Sequence, residues 1–188
     1  MMDTTITAII PVKGNSTRLP NKNILPFADT NLLVHKIRQL KEVKGITEII
    51  VSSDSDEMLQ MGRDEGVTAI KRPVQYADES VPFGMFLEYI SDSMPGGHIL
   101  WACATSPLVE PYLYEKAIKT YFQKLGEGYD SLITCSPYQT YLMDEKGPLN
   151  FSMVLAHKNS EQLPMLYHFT NGINLAPREK LKEWHYNY

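Results

Sequence analysis

From residue 6 to about residue 136 the chain alternates apolar runs with amphipathic stretches. Ile6-Thr7-Ala8-Ile9-Ile10-Pro11-Val12 is apolar at nearly every position. A run of that kind reads as a strand buried on both faces, the habit of parallel sheets covered by helices. A loop from Lys13 to about Thr30 follows, then a helix with Leu33, Ile37 and Leu40 at spacings of four and three, ended near Gly45. Ile46 to Ser53 predicts a second strand, and Asp54 the cap of the next helix, with Glu57 completing a capping box. That helix runs out at Gly66, before a third strand from Val67 to Lys71. Ser80 to Met94 carries Phe83, Phe86, Leu87 and Ile90 at helical spacing, with Pro82 confined to its first turn. His98 to Ala104 predicts a fourth strand and Tyr129 to Ser136 a fifth. Between them Leu113, Ala117, Ile118, Tyr121, Phe122 and Leu125 stripe one helix face. Regular alternation with short connections predicts an α/β fold, a mostly parallel sheet between helix layers joined by right-handed crossovers.

After Pro137 the alternation weakens. Hairpin signals at Asp144-Glu145-Lys146-Gly147-Pro148 and at Asn171-Gly172 predict an antiparallel excursion, an arm used in association. The last stretch is a short helix, Arg178 to Trp184, and an aromatic tail.

Composition narrows the class. The 188 residues are 43% hydrophobic and 21% charged, enough for one core that buries roughly 70% of the unfolded surface. No repeat or linker divides the chain, so residues 1–188 read as a single domain. Cys103 and Cys135 are too few for a disulfide scaffold. No apolar run reaches the roughly 20 residues of a membrane helix, and Met1-Met2-Asp3-Thr4-Thr5 lacks the features of a signal peptide. A cytoplasmic protein with no membrane partner is the expectation.

Charge is unevenly placed. Residues 13 to 44 hold seven basic side chains and two acids, +5, which leaves −9 for the rest of a chain whose net charge is −4. A local basic region on an acidic protein points to a small polyanionic ligand and away from nucleic acid. Lys36, Arg38, Lys41 and Lys44 read as the solvated side of a helix, which leaves Lys13, Arg18 and Lys22 in the loop before it.

Ligands of open parallel sheets bind beyond the carboxyl ends of the strands. Lys13-Gly14-Asn15-Ser16-Thr17-Arg18-Leu19-Pro20-Asn21-Lys22-Asn23 offers a glycine, a run of amide donors, two hydroxyls and three cations within one such loop. That composition suits a triphosphate. The loop lacks both the Gly-Lys-Ser/Thr end of a Walker A motif and the later glycines of a dinucleotide fingerprint. Elsewhere the bland readings prevail. Cys103 has no Cys-x-x-Cys partner and reads as a buried small hydrophobe. The five histidines lack metal-ligand spacing, and no Gly-x-Ser-x-Gly segment supports a hydrolase. Lys146 and Lys158 read as solvated. Thr105 and Ser106 could simply start the next helix, since Pro107 suits a first helical position.

The loop from Pro11 to Asn23 resembles the signature loop of the acylneuraminate cytidylyltransferases, the CMP-sialic acid synthetase family. Val51-Ser52-Ser53-Asp54 is similar to that family's Val-Ser-Thr-Asp. Lys71-Arg72-Pro73 with Ala77-Asp78-Glu79-Ser80 follows, then Ala104-Thr105-Ser106-Pro107-Leu108, similar to Gln-Pro-Thr-Ser-Pro-Leu. Gln162-Leu163-Pro164 and Asn171-Gly172 match more faintly. The resemblance implies a Rossmann-like nucleotidyltransferase fold of the nucleotide-diphospho-sugar transferase type, with an antiparallel dimerisation arm over residues 138–165 and a homodimer. It implies transfer of CMP from CTP to a sialic-acid-like 2-keto sugar acid, with release of pyrophosphate, in cell-surface polysaccharide biosynthesis. It also implies magnesium. Carried over by position, Lys22 and Lys13 serve catalysis. Gly14, Asn15, Ser16 and Arg18 complete the phosphate cradle, and Asn23, Arg72 and Ser80 contact the nucleotide. Cys103, Thr105, Ser106 and Asn171 face the sugar.

One departure from the family pattern falls in the phosphate loop, at Lys13, and the other four fall on the acceptor side. Lys13 stands where the family has an arginine, Cys103 replaces its glutamine, Ala104 its proline and Val109 an arginine, and Leu175 occupies the place of a tyrosine. The family's magnesium site uses an aspartate pair in a segment beyond Tyr188, and no aspartate follows Asn171, so the metal ligands stay unassigned. Two other readings stand beside the enzyme: a non-catalytic nucleotide or nucleotide-sugar binding relative, and an enzyme for another nucleotide or a 3-deoxy-octulosonate sugar. The arm carries Tyr138, Tyr141, Leu142, Phe151, Met153 and Leu155, which a small domain would not readily bury alone.

Overall fold

A computed structural model describes residues 3–14, 19–77 and 80–188. Among them the elements run β1 (Ile6–Pro11), β2 (Pro26–Phe27), β3 (Thr30–Asn31), α1 (Leu32–Lys41), β4 (Glu48–Ser53), α2 (Asp56–Asp64) and β5 (Thr68–Lys71). There follow α3 (Phe83–Ser93), β6 (His98–Trp101), α4 (Pro111–Leu125), β7 (Leu132–Tyr138), the paired short strands β8 (Met143–Asp144) and β9 (Gly147–Pro148), β10 (Leu166–Pro177) and α5 (Arg178–Trp184). A six-stranded sheet has the order β5-β4-β1-β6-β10-β7. β1 pairs parallel with β4 and with β6, β4 pairs parallel with β5, and β10 runs antiparallel to β6. The fold is the α/β arrangement that the alternation predicts, of the Rossmann-like kind that the family resemblance implies.

Two compact units divide the chain, residues 1–133 with 171–188, and residues 134–170. In the larger unit β1 explains why its sequence is continuously apolar. Ile6, Ala8 and Ile10 point into one core with Leu33, Ile37 and Leu40 of α1 and Tyr114, Ile118 and Tyr121 of α4. Ile9 points into the other, with Phe86, Leu87 and Ile90 of α3 and Leu181 of α5. Each of the isoleucine, leucine and phenylalanine side chains contributes about 1.5–3 kcal/mol by leaving water, so neither face of the strand can carry a polar stripe. Some of the polar groups that do enter find partners inside. Buried His98 lies 2.8 Å from the Tyr121 hydroxyl and 2.8 Å from the Asp3 carbonyl oxygen.

Four local expectations need correction. The cap of α2 is Ser55, whose hydroxyl accepts from Met58 N, while Asp54 turns away and accepts from Gly14 N at 2.9 Å. Pro107 opens no helix, because α4 begins at Pro111, after Glu110. Asn171-Gly172 is not a hairpin tip. It lies inside β10, with Asn171 in the left-handed region at φ 53°, a conformation asparagine tolerates better than most residues. Lys36 is not solvated; it is fully buried. It stands three residues after Leu33 and four before Leu40, hence on the apolar face of α1.

The smaller unit holds the predicted hairpin. Asp144 Oδ1 accepts from Lys146 N and Gly147 N and so shapes the turn between β8 and β9. Tyr141 donates its hydroxyl to the Lys158 carbonyl at 2.6 Å and packs on Phe151 and His157. Gln139 reaches the carbonyls of Glu161 and Leu163. Leu163 is the one buried hydrophobic residue described in this unit, and Met143, Leu149, Met153, Leu155 and Tyr167 are exposed. Lys146 and Lys158 are exposed as well.

Candidate functional site

The order β5-β4-β1-β6 contains a reversal. From β1 the chain passes through α1 to β4 and through α2 to β5 on one side, then through α3 returns to β6 on the other side of β1. In open α/β sheets the crevice at such a switch point, outside the carboxyl ends of the strands, is where ligands bind. A cavity of about 500 Å³ opens there, walled by Val12 and Lys13 after β1, Arg72 after β5 and Cys103 to Thr105 after β6. Backbone bonds fix those strand ends: Val12 N donates to Ser52 O at 3.0 Å, Arg72 N to Ser53 O at 2.8 Å and Ala102 N to Ile9 O at 2.9 Å.

The site residues anticipated from sequence divide into four groups. Lys13, Lys22, Asn23, Arg72, Cys103, Thr105 and Asn171 line this one cavity. Gly14 stands just behind it, its amide on Asp54, and a Cβ there would come within 3.2 Å of Ser55 Cβ. Any side chain there would press on Ser55 and make it give by a few tenths of an ångström. Ser80 and Ser106 do not line the cavity, and Asn15, Ser16 and Arg18 lie outside the described residues.

Each cation is placed by local chemistry. Asn21 adopts φ 53° and turns the chain into a short 3-10 helix, Lys22 to Ile24, that sets Lys22 at the rim and buries Asn23. Asn23 Nδ2 points at the Lys13 carbonyl, 3.4 Å away. Arg72 is only 5% exposed, with its guanidinium carbon 4.8 Å above the Phe86 ring and its Nη2 donating to the Val12 carbonyl. A desolvated cation–π contact of this kind is worth about 2 kcal/mol. Burial nevertheless pulls the guanidinium below its ordinary pKa, with Asp54 opposing. The Arg72 Nε proton is buried with no acceptor among the described residues. A buried donor left unmade costs about 1–3 kcal/mol, which an acceptor atom of a bound ligand would recover.

The described lining residues from β6, the turn after it and β10 are neutral. Asn171 Nδ2 approaches Cys103 Sγ at 3.5 Å, and Asn171 Oδ1 accepts from Asn174 Nδ2 at 2.8 Å. Cys103 is half-buried at the cavity, not fully buried as anticipated. Desolvation pushes its thiol pKa up, with Trp101, Lys36 and Lys22 opposing, so the cysteine is no activated nucleophile. Leu175, where the resemblance expects a tyrosine, is fully buried in the core of the larger unit.

Sequence reasoning missed the apolar wall, formed by Tyr76, Val81, Phe83, Phe86 and Trp101. Phe83 and Phe86 each meet Trp101 edge-on at 5.8 Å. The available signal was the position of Trp101 at the carboxyl end of β6. The other miss, Lys36, was legible in the helical period of α1.

Magnesium, implied by the resemblance, finds no ligand set in these residues. Among the described residues no three His, Cys, Asp or Glu side chains come together as metal ligands. Among the described residues the charged side chains lining the cavity are Lys13, Lys22 and Arg72, and the nearby carboxylate Asp54 is engaged by Gly14 N. The donors present do not fit a protein-held ion, and no step below is routed through one. No described helix is long and apolar enough to cross a membrane.

Known proteins resemble this chain in both sequence and fold. It is 25% identical over 186 residues to a bifunctional pseudaminic acid cytidylyltransferase and UDP-2,4-diacetamido-2,4,6-trideoxy-beta-L-altropyranose hydrolase of Helicobacter pylori, covering 94% of this chain and 35% of that protein. It is 27% identical over 182 residues to an N-acylneuraminate cytidylyltransferase of Streptococcus agalactiae, covering 91% of this chain and 43% of that one. The chain therefore spans about a third to a half of the length of such relatives. In fold it matches a CMP:2-keto-3-deoxy-manno-octonic acid synthetase complexed with CTP, with a TM-score of 0.71 at 16% identity over 96% of this chain and 77% of that one. It also matches a 4-diphosphocytidyl-2C-methyl-D-erythritol synthase from Anaerococcus prevotii, with a TM-score of 0.66 at 15% identity over 96% and 73%. The Cytidylyltransferase family profile matches residues 7–146, most of the chain and every wall of the cavity except Asn171, and this protein belongs to that family.

Proposed function

We propose that the chain activates a sialic-acid-like 2-keto sugar acid with CTP, yielding a CMP-sugar and pyrophosphate. The observation that carries this reading is that one switch-point cavity brings the cations Lys13, Lys22 and Arg72 together with the neutral Cys103, Thr105 and Asn171. In the reaction the sugar's anomeric oxygen bonds to the α-phosphorus of CTP as the bond to the bridging oxygen of pyrophosphate breaks. Negative charge spreads over the transferred phosphoryl group and the leaving pyrophosphate, so fixed cations lower the barrier and no covalent nucleophile is needed.

Lys22 and Lys13 serve the phosphates, with the Gly14 to Arg18 segment completing the cradle. Arg72 and Asn23, both buried and both anchored to the backbone of the loop after β1, hold the nucleoside side, with Ser80 nearby in sequence. Thr105, Ser106, Cys103 and Asn171 form the acceptor side. A magnesium ion would arrive with the nucleotide phosphates. The fold match to a CTP-complexed synthetase and the names of the relatives support the same chemistry.

The test is incubation with CTP, magnesium chloride and a panel of 2-keto sugar acids, followed by pyrophosphate release. Release with at least one nine-carbon acid is the expected result. CTP or CMP binding without release under any acceptor would instead favour the non-catalytic relative, and release only with an eight-carbon 3-deoxy acid would change the substrate.

We infer that residues 138–165 form a dimerisation arm and that the protein works as a homodimer. Met143, Leu149, Met153, Leu155 and Tyr167 expose apolar surface within the smaller unit, more than a solitary small unit ordinarily leaves wet. Light scattering at micromolar concentration should give twice the mass of the chain; the mass of one chain would defeat the inference.

A further inference from the structure

The fully buried Lys36 has no carboxylate partner among the described residues. Its ammonium donates to the Ser106 carbonyl at 2.9 Å and to the Tyr114 hydroxyl at 2.9 Å, and lies 5.1 Å from the Tyr114 ring centroid. A methionine or leucine would fill the same space on α1 without dehydrating a charge. The lysine is therefore best understood through what it holds.

Its neighbours grip the same turn. Gln39 Nε2 donates to the Pro107 carbonyl at 2.7 Å, and His35 Nε2 lies 3.2 Å from that oxygen. The turn itself closes through Ser106 N to Cys103 O at 3.1 Å. Three side chains from two successive turns of α1 thus meet the consecutive carbonyls of Ser106 and Pro107 in the Cys103–Pro107 segment, from which Cys103 and Thr105 face the cavity. At its other end α1 is capped by Asn31, whose side-chain oxygen accepts from Val34 N at 3.0 Å, directly after the loop that carries Lys22. One helix therefore joins the loop that carries Lys22 to the turn after β6.

We propose that Lys36 is a positioning residue for acceptor binding, holding the Cys103–Pro107 turn through the Ser106 carbonyl while touching neither the nucleotide nor the sugar. The proposal rests on the acceptor-side reading of Thr105 and Cys103 above. It follows from geometry: a turn with two bonded carbonyls and one internal bond has little freedom, and a displacement of 1 Å at a binding group can cost a hundredfold in rate. Charge-assisted bonds from an ammonium hold more strongly than neutral ones.

The experiment compares the parent with Lys36→Met and Gln39→Ala, using CTP and the best-used acid of a panel led by N-acetylneuraminate. For Lys36→Met the acceptor KM should rise tenfold or more while the CTP Kd, measured without acceptor, stays within about twofold. Gln39→Ala, which removes a half-buried side chain, should shift the acceptor KM about threefold in the same direction. A purely structural role would move both nucleotide and acceptor constants, and that outcome overturns the proposal, as does an unchanged acceptor KM in a folded variant. If Lys36→Met does not fold, the Gln39→Ala result decides by the same split. If the parent releases no pyrophosphate with any acid, the reading of the reaction fails. The clamp is then decided by amide exchange. Faster exchange confined to residues 103–109 in Lys36→Met supports it, and unchanged exchange there rejects it.

Discussion

A Lys22→Ala variant is expected to bind CTP roughly a hundredfold more weakly while unfolding at the parent's temperature to within about 2 °C. Lys22 lines the cavity and makes no ion pair among the described residues. Its ammonium does no work for the fold, and substitutions of that kind usually stay within about 0.5 kcal/mol. The bound nucleotide supplies what is missing. A charge-assisted bond to phosphate is worth about 1.5–3 kcal/mol, and a hundredfold in affinity corresponds to about 2.7 kcal/mol. Lys13 would not separate binding from folding as cleanly, because its side chain stands on a loop anchored by Asn23 and Arg72 through the backbone oxygens of Lys13 and Val12. Titration calorimetry with CTP, paired with a thermal melt, decides the matter. Unchanged CTP affinity would remove Lys22 from the site, and a large drop in melting temperature would make it a folding residue.

The second large effect is a pH-dependent stability. Burial lowers the pKa of Lys36 from 10.5 to about 8, slightly opposed by Cys103. Between those values the unfolded chain holds the proton and the native chain has released it. Unfolding then takes up a proton, and stability rises with pH across the window. In the parent this gain is masked, since Tyr114 and Cys103, which face Lys36, have pKa values raised by burial and contribute in the opposite sense. The difference between parent and Lys36→Met isolates the lysine. Near pH 7 the two proteins should be of similar stability, because the variant loses two hydrogen bonds and also the cost of a dehydrated charge. By pH 10 the parent should have gained up to about 3 kcal/mol on the variant. Urea unfolding followed by tryptophan fluorescence at the two pH values measures this. A difference that stays flat with pH would show that Lys36 keeps its ordinary pKa and that the turn is held in some looser way.

Both predictions concern lysines of one basic segment, and the segment shows how far local pattern reaches. Lys22 follows β1, and the position of that loop beyond a doubly buried strand made it legible as a ligand group. Lys36 sits in a stretch with three other cations, and counting charge alone places it in water. Its helical phase with Leu33 and Leu40 places it in the core, and phase prevails, because α1 buries a whole face and any residue on that face goes in with it. The same contest explains Asp54. Asp and Ser both suit a helix cap, and Ser55 takes the position because Asp54 has a tertiary partner in Gly14 N that local sequence does not reveal.

What the sequence by itself determined is the succession of elements, the double burial of β1 and the presence of a cationic loop after it. These follow from short-range periodicity and from which residues can leave water cheaply. The ordered motifs from Pro11 to Leu108 also marked the family. Only the tertiary structure decided the strand order that creates the switch point, the antiparallel entry of β10 beside β6 with Asn171 brought to Cys103, and the aromatic wall facing Arg72. It alone placed the grip of α1 on the turn after β6, across some 70 residues of sequence. Contacts of that range depend on how layers pack, and no window of neighbouring residues encodes them.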